Sequence, residues 1–513
     1  VILKALDQSH GWEIWTSNGR STGTRLLKDF VPGYDLSNST AQALGGVALV
    51  GSSDGAEGIK LWRTNGTRDG TTLLAHFSFA SSLEWLANVP DLGAFFTVGG
   101  VWLTDGTSRG TRMINSEVRP GLVPQDQRAA AAVGDRMFFC GDVEGTGREL
   151  WTSDGTSSGT TLVMDINPVG SSEPAGFVEV DGIAYFAADD GAHGRQLWRS
   201  DGTPGGTRMV VDLGGGADGS WPRDLTSMDG RLYFVAWSET GSGWQLWRTD
   251  GTVGGTERLT DFVPNSWNVG GVTVGNGVLF FVANDGVHGF ELWASDGTRA
   301  GTRMVADHAP GPDSGIPPGT YARPTWVGDR LLLAAYTPAE GLEPWQADVR
   351  GFGWLADVNP GPASSMFSGF VAAGDSVFFG ANDGERGSEL WATPSSARWV
   401  SAAPTALGLE TCFQARSRAT VRVSLSKASP EAVVVQYATA DGNALAGIDY
   451  VAVSGTITFP PGSTEQTVAI AITDDEFLEK NETFYLELNQ ASGALIENAR
   501  TTITILDREH PGP

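Results

Sequence analysis

The sequence predicts an all-β protein: a large β-propeller of four-stranded blades, followed by an immunoglobulin-like antiparallel β-sandwich. Three observations predict it. A tryptophan recurs at Trp15, Trp62, Trp102, Trp151, Trp198, Trp247, Trp293, Trp345 and Trp391, with spacings of 47, 40, 49, 47, 49, 46, 52 and 46 residues. That period suits propeller blades and exceeds that of most helical repeats. The composition favours short strands and tight turns, with 69 glycines in 513 residues, 40% hydrophobic and only 18% charged residues, and no long window of helical periodicity. From Ser401 onward the tryptophans stop and longer alternating strands begin.

One unit, "DLTSMDGRLYFVAWSETGSGWQLWRTDGTVGGTERLTDF", parses into strands around Leu225, Leu232–Trp237, Trp244–Thr249 and Glu257–Phe262. The links "DG", "ETGSG" and "DGTVGG" are hairpin-turn chemistry. Such a meander has two apolar faces and cannot bury both alone, so the units must stack. A ring is expected rather than a line, because the array has no polar capping unit. Nine units are counted, giving eight or nine blades across residues 1–402, with the sandwich in 403–513. The first unit begins at its second strand, "VILKALD", so its first strand is expected before Val1, from the end of the array, or to be absent. The third, "GAFFTVGGVWLTDGT", lacks the long hairpin loop. In the eighth, "GLEPWQADVRGFGW", Pro344 replaces Leu and "SDGT" is lost, which predicts an edge or distorted strand.

The "SDGTxxGT" loop places Asp105, Asp154, Asp201, Asp250 and Asp296 in register, with Asn18 and Asn65 in the first two units. A chain of calcium loops is one reading. The other is that the side chain accepts hydrogen bonds from its own turn, a role that Asn fills as well as Asp. The turn role is expected, because liganding oxygens are sparser here than in a calcium loop. The in-register tryptophans are expected to anchor packing between neighbouring units. Trp12, Trp221, Trp237, Trp244, Trp267 and Trp354 lie off that register, where an exposed indole would stack on a sugar ring. His10, His193 and His288 share one hairpin slot and read as turn residues. Cys140 and Cys412 form no framework, and Cys140 in "RMFFCGD" reads as a buried small hydrophobe. No GxSxG, HExxH or phosphate-loop pattern occurs, and no enzymatic activity is expected.

A net charge of −26 and a pI near 4.5 disfavour nucleic acid and anionic lipid as partners and favour cations. No run of 18 apolar residues exists, so no membrane insertion is expected. The chain opens at Val1 without a leader, as after removal of a signal sequence or in a fragment of a longer protein.

These residues carry two resemblances. "ELWTSDGTSSGTTLVMDINPVG", Glu149 to Gly170, resembles the ELWxxDGT repeat family of bacterial secreted and cell-surface proteins, across nearly all of residues 1–400. That resemblance implies export and surface display, and brings no defined enzymatic activity. "DGNALAGIDY", "GTITFPPGSTEQTVAIAITDDEFLEKNETF" and "TITILD" resemble a Calx-beta domain over roughly 405–510. Asp474, Asp475, Glu476, Glu479 and Glu482 crowd nine residues, a repulsive arrangement unless a hard cation or solvent intervenes. In calcium-binding members of that family, the carried-over ligand set is Glu410, Asp449, Asp474, Asp475, Glu476, Glu479, Glu482, Asp507 and Glu509, and Ca2+ is the expected cofactor. The terminal run departs from the family pattern, because Arg508 stands within "DRE".

The function expected is that of a secreted or cell-surface non-catalytic binding or adhesion protein. Its propeller would be the platform for an extracellular protein or glycan, and its sandwich a calcium-binding spacer. Self-assembly or further domains of a longer chain are also expected, since "DREHPGP" ends like an interdomain linker. Two alternatives stand beside this one: a structural subunit of an extracellular filament or coat joined through exposed strands, and a propeller enzyme acting on extracellular polysaccharide or phosphoester.

Overall fold

A computed structural model describes residues 1–30, 36, 38–53, 58–78, 80, 82–121, 128–214, 216–238, 243–262, 269–317, 324–349, 351–356, 358–365, 368–396, 398–402, 405–409, 417–473, 481–498 and 500–506. The described chain is nearly all strand. Its helical segments, among the described residues, are the 3-10 turns Ser21–Gly23 and Gly216–Asp218. Two compact units are present: Val1–Gly286 with Ser295–Thr302, and Val287–Ala294 with Arg303–Pro513.

The first unit is a run of antiparallel meanders. The fifth repeat shows the pattern, with strands Ala175–Val180, Ile183–Asp189, Arg195–Ser200 and Arg208–Val211 hydrogen-bonded in that order. Among the described residues the first repeat has three strands, Ile2–Asp7, Gly11–Thr16 and Arg25–Lys28. Repeats two to six have four strands each, with a short extra strand Arg119–Pro120 on the fourth sheet. The hairpin of Val269–Gly275 and Val278–Asn284 completes the unit.

Sequence explains why these sheets stack. In Ile183–Asp189 the residues Ala184, Tyr185, Phe186, Ala187 and Ala188 are all buried, as only a strand covered on both faces requires. Six in-register indoles, Trp62, Trp102, Trp151, Trp198, Trp247 and Trp391, enter a core shared with the repeat before them. Trp198 packs with Val133, Phe138 and Leu150 of the fourth repeat, and Trp102 packs with Leu49, Ile59 and Leu61 of the second. Burying one such large side chain contributes about 1.5–3 kcal/mol.

The second unit contains the hairpin Phe290–Ser295 and Arg303–Ala306, repeats eight and nine, and the sandwich. In repeat eight the strand Gly341–Asp348 is paired on both sides, so it is not an edge. The carbonyl of Pro344 accepts the Leu355 N–H at 3.2 Å, on the side away from Arg330–Thr337. Its missing N–H faces that same side and removes no bond from the Arg330–Thr337 ladder. The ninth repeat has three strands, Ser368–Ala373, Ser376–Asn382 and Ser388–Pro394.

One sandwich sheet runs Glu465–Ala471, Arg418–Leu425, Trp399–Ala402, Leu495–Asn498. The other runs Ser454–Phe459, Val433–Ala440, Glu482–Ser492, Arg500–Leu506, Thr405–Leu409, the last pair parallel. Alternation does what the sequence implies. Along Arg418–Leu425, Ala419, Val421, Val423 and Leu425 enter the core with Phe459, Phe484 and Ile503, while Arg418, Thr420 and Arg422 face out.

Candidate functional site

The repeated turns are closed systems. Asp105 Oδ1 accepts the Thr107 N–H at 2.8 Å and its hydroxyl at 2.7 Å, and Thr107 Oγ1 accepts the Gly110 N–H at 3.0 Å. The Thr104 and Thr111 hydroxyls bond across the loop at 2.7 Å. Asp154, Asp201, Asp250 and Asp296 repeat the scheme, and Asn65 makes the same bonds to Thr67. The threonine hydroxyl holds all five aspartates below their usual carboxylate range. Because Asn65 serves without a charge, the motif is turn wiring, as expected. The histidines behave alike: His10 and His193 lie exposed against Asp7 and Asp190 at 2.9 and 2.8 Å, which raises both imidazoles.

Sequence reasoning missed a polar residue two places before the in-register tryptophan in six of the repeats. Glu13, Glu149, Gln196, Gln245, Glu291 and Glu343 are all fully buried. Each grips backbone beyond the last strand of its own repeat. Glu149 accepts from Ile166 N, Ser172 N and Ser172 Oγ at 2.7, 2.9 and 2.6 Å. Gln245 accepts the Phe262 N–H at 3.1 Å and donates to the Phe262 carbonyl at 3.0 Å. Glu291 accepts from His308 N, Ala309 N and Gly315 N at 3.1, 3.3 and 2.8 Å. Burial pushes the Glu291 carboxyl up to about 7 despite those donors. His308 beside it meets Trp345 edge to face and stacks on Phe352, with ring centroids at 4.3 and 4.9 Å, and burial lowers its imidazole to about 4. A signal for these clamps was present: a polar residue recurs at one position of an apolar strand.

Of the nine expected calcium ligands, Glu410, Asp474, Asp475, Glu476, Glu479, Asp507 and Glu509 lie outside the described residues. The other two, Asp449 and Glu482, attach to one loop, residues 441–450. Asp449 is 9% exposed; its Oδ2 accepts the Leu445 N–H at 2.7 Å, and its carbonyl accepts the Thr473 N–H at 2.9 Å. Thr473 is the residue before the acidic segment. Glu482 opens the strand Glu482–Ser492, and its neighbour Thr483 donates its N–H to Asn443 Oδ1 at 2.7 Å. Tyr450 stacks on Phe484 at 3.9 Å and donates its hydroxyl to Asp441 at 2.7 Å, which with burial pushes the phenol up to about 12. The loop is thus tied at its base by hydrogen bonds and a ring stack. All nine expected donors are carboxylates, the hard oxygens that suit calcium, and no cluster of three metal-ligating side chains occurs among the described residues. No described helix is long and apolar enough to cross a membrane.

The Calx-beta domain family matches residues 411–509. The sodium/calcium exchanger Calx of Drosophila melanogaster is 42% identical over 80 residues, 15% of this chain and 8% of that protein. Sodium/calcium exchanger 2 of Homo sapiens is 35% identical over 95 residues, 15% of this chain and 10% of that protein. The chain therefore spans only 8% to 10% of the length of these curated relatives. The solved apo form of the Calx CBD1 domain is 30% identical and covers 22% of this chain and 100% of its own, with a TM-score of 0.20.

Structures similar over a larger share of the chain are peptidases. A puromycin-hydrolysing peptidase of Mycobacterium tuberculosis is 12% identical and covers 73% of this chain and 63% of its own, with a TM-score of 0.36. Prolyl oligopeptidase B of Galerina marginata is 10% identical and covers 77% and 56%, with a TM-score of 0.34. The expectation that the chain is not an enzyme is corrected on this finding, because the neighbours over most of its length are enzymes. At such identities they give it neither a catalytic residue nor a substrate. The firm assignment is regional: residues 411–509 are a Calx-beta domain.

Proposed function

We propose that this is an exported, surface-displayed binding or adhesion protein of the ELWxxDGT-repeat kind. In this reading residues 1–402 form a β-propeller that offers its loops to an extracellular protein or glycan. Residues 403–513 form the Calx-beta sandwich, which holds calcium and stiffens the array. The observation that carries the calcium part is Asp449, nine-tenths buried and bonded through its carbonyl to Thr473, where the acidic segment starts. Asp449 and Glu482, with the acids of 474–479 and 507–509, would hold the ion, and the ion would relieve the repulsion among them. The platform part is supported by the repeats themselves, whose recurring polar residues are consumed by turns and clamps, leaving the differences between repeats to recognise a partner.

Calorimetric titration of calcium into chelator-treated full chain tests this. Saturable binding that raises the melting temperature and is lost in Asp475→Ala is the expected result. No heat and no shift would remove calcium from the reading and leave the sandwich a plain spacer.

A further inference from the structure

We propose that the cleft between the second and third repeats is a binding site for a carboxylate-bearing saccharide, with Arg63 as the group that receives the carboxylate. This rests on the reading of the repeats as a ligand platform. The argument is a comparison of the molecule with itself. In the fifth repeat Tyr185 lies opposite Arg199, and in the sixth Tyr233 lies opposite Arg248. Each pair is engaged with the turn of the next repeat: Arg199 donates to the Gly251 carbonyl at 3.5 Å, and Arg248 donates to the Gly297 carbonyl at 2.6 Å. The tyrosine hydroxyls press on those same glycines, where a Cβ would collide with them.

In the second repeat the residue opposite Arg63 is Leu49. Without the phenol the space stays open. A Cβ on Gly106, the matching glycine, would meet Leu44 and Arg63 only at ordinary contact distances of 3.5 and 3.9 Å. A cleft of about 600 Å³ results, with Leu44, Val47, Arg63, Asn88, Asp91 and Asp105 on its walls. That size lies within the range of small-molecule sites. The Arg63 guanidinium has no hydrogen bond or ion pair among the described residues, unlike those of Arg199 and Arg248.

The wall chemistry selects the ligand. A bare anion would meet Asp91 and Asp105, and a bare cation would meet Arg63. A neutral sugar would leave the guanidinium unused. A hydroxylated carboxylate of the uronic-acid class uses every group: its carboxylate takes the planar guanidinium fork. Its hydroxyls donate to Asp91, to Asp105 Oδ2, which the turn bonds to Oδ1 leave unused, and to the Asn88 carbonyl oxygen, one Asn88 amide N–H being held by the Ala43 carbonyl at 2.8 Å. Its C–H face lies on Leu44 and Val47.

Calorimetry of the full chain with D-glucuronate and D-galacturonate, against D-glucose and acetate, tests the site. Expected are saturable heat with at least one uronate, binding of glucose and acetate weaker by about tenfold or more, and loss of uronate binding in Arg63→Ala. Leu49→Tyr, which installs the residue of the fifth and sixth repeats, is expected to abolish binding; Leu49 is a core residue, so its melting temperature is read alongside, and Arg63→Ala, at an exposed side chain, carries the test if that temperature falls. No heat with either uronate, equal heat with acetate, or undiminished binding in Arg63→Ala each overturns the proposal. Failure here is distinguishable from failure of the platform: retention of the chain on an immobilised glycan panel, unchanged in Arg63→Ala, keeps the platform and discards the cleft.

Discussion

A single carboxyl at the fold's interior shows what one protonation state contributes. Glu291 titrates near 7 when folded and near 4.5 when free, so the folded chain holds the proton more tightly. Its contribution to stability is fully present below about pH 4.5 and is lost as pH rises through 7, a swing of roughly 1–3 kcal/mol. His308 runs the other way: lowered to about 4, it favours the fold above about pH 6.5 and withdraws that support as pH falls toward 4. Parent and variant melting curves separate the two. Glu291→Gln, the residue type that Gln196 and Gln245 already supply at this position, is expected to start less stable at pH 5 and to gain on the parent by pH 8. A gap that stays constant across that range would refute the assignment. Cys140 is a simpler case. Burial pushes its thiol up to about 12, so a thiol reagent followed by peptide mapping should leave it unlabelled until the chain unfolds.

At the scale of the element, the turn explains which residues the repeat must keep. Gly206 lies against the Asp201 carboxylate, where any Cβ would collide with it. Gly206→Ala should therefore cost about 1–3 kcal/mol, seen as a lower urea midpoint. Asp201→Asn should stay within about 0.5 kcal/mol, and neither change should alter any response to calcium. Calcium sensitivity lost in Asp201→Asn would reopen the metal reading of these loops.

This is also the scale at which the sequence was most readable. Tryptophan spacing and glycine turns marked every repeat, because both are local requirements with a fixed period. The buried Glu and Gln clamps escaped notice, since their partners, such as Ile166 and Ser172 for Glu149, sit 17 and 23 residues away in loops of no fixed pattern. The paired state of the strand holding Pro344 is not legible in the sequence, because backbone direction decides whether a missing N–H matters and composition does not reveal direction. The acidic end was visible only as a crowd of like charges around Asp449 and Glu482, and crowding says nothing about where each oxygen points.

For the whole molecule, the two kinds of construction predict separable responses. Repeats such as the third and fifth share a core with the repeat before them through Trp102 and Trp198, whereas the sandwich has its own core around Phe459, Phe484 and Ile503, with Ser492 of one strand also pairing Trp354 of the eighth repeat. Heating scans in chelator and in calcium should differ in one transition only, that of the Calx-beta sandwich, with the repeat transition unmoved. A shift of both together would mean that calcium also acts on the repeats.

The closed wiring of the turns has one more consequence. In each loop the pair between the two glycine–threonine steps is exposed and spare: Arg68 and Asp69, Ser108 and Arg109, Ser157 and Ser158, Pro204 and Gly205, Val253 and Gly254, Arg299 and Ala300. The aspartate-to-threonine (in one loop Asn65-to-threonine) bonds that define the loop use none of these side chains; the pairs contribute chiefly a backbone carbonyl to the closing threonine, and Arg299 also pairs with Asp261 at 3.2 Å. Six addresses can thus be rewritten one at a time at almost no cost to folding, and the chain is free to acquire a new partner while keeping its architecture.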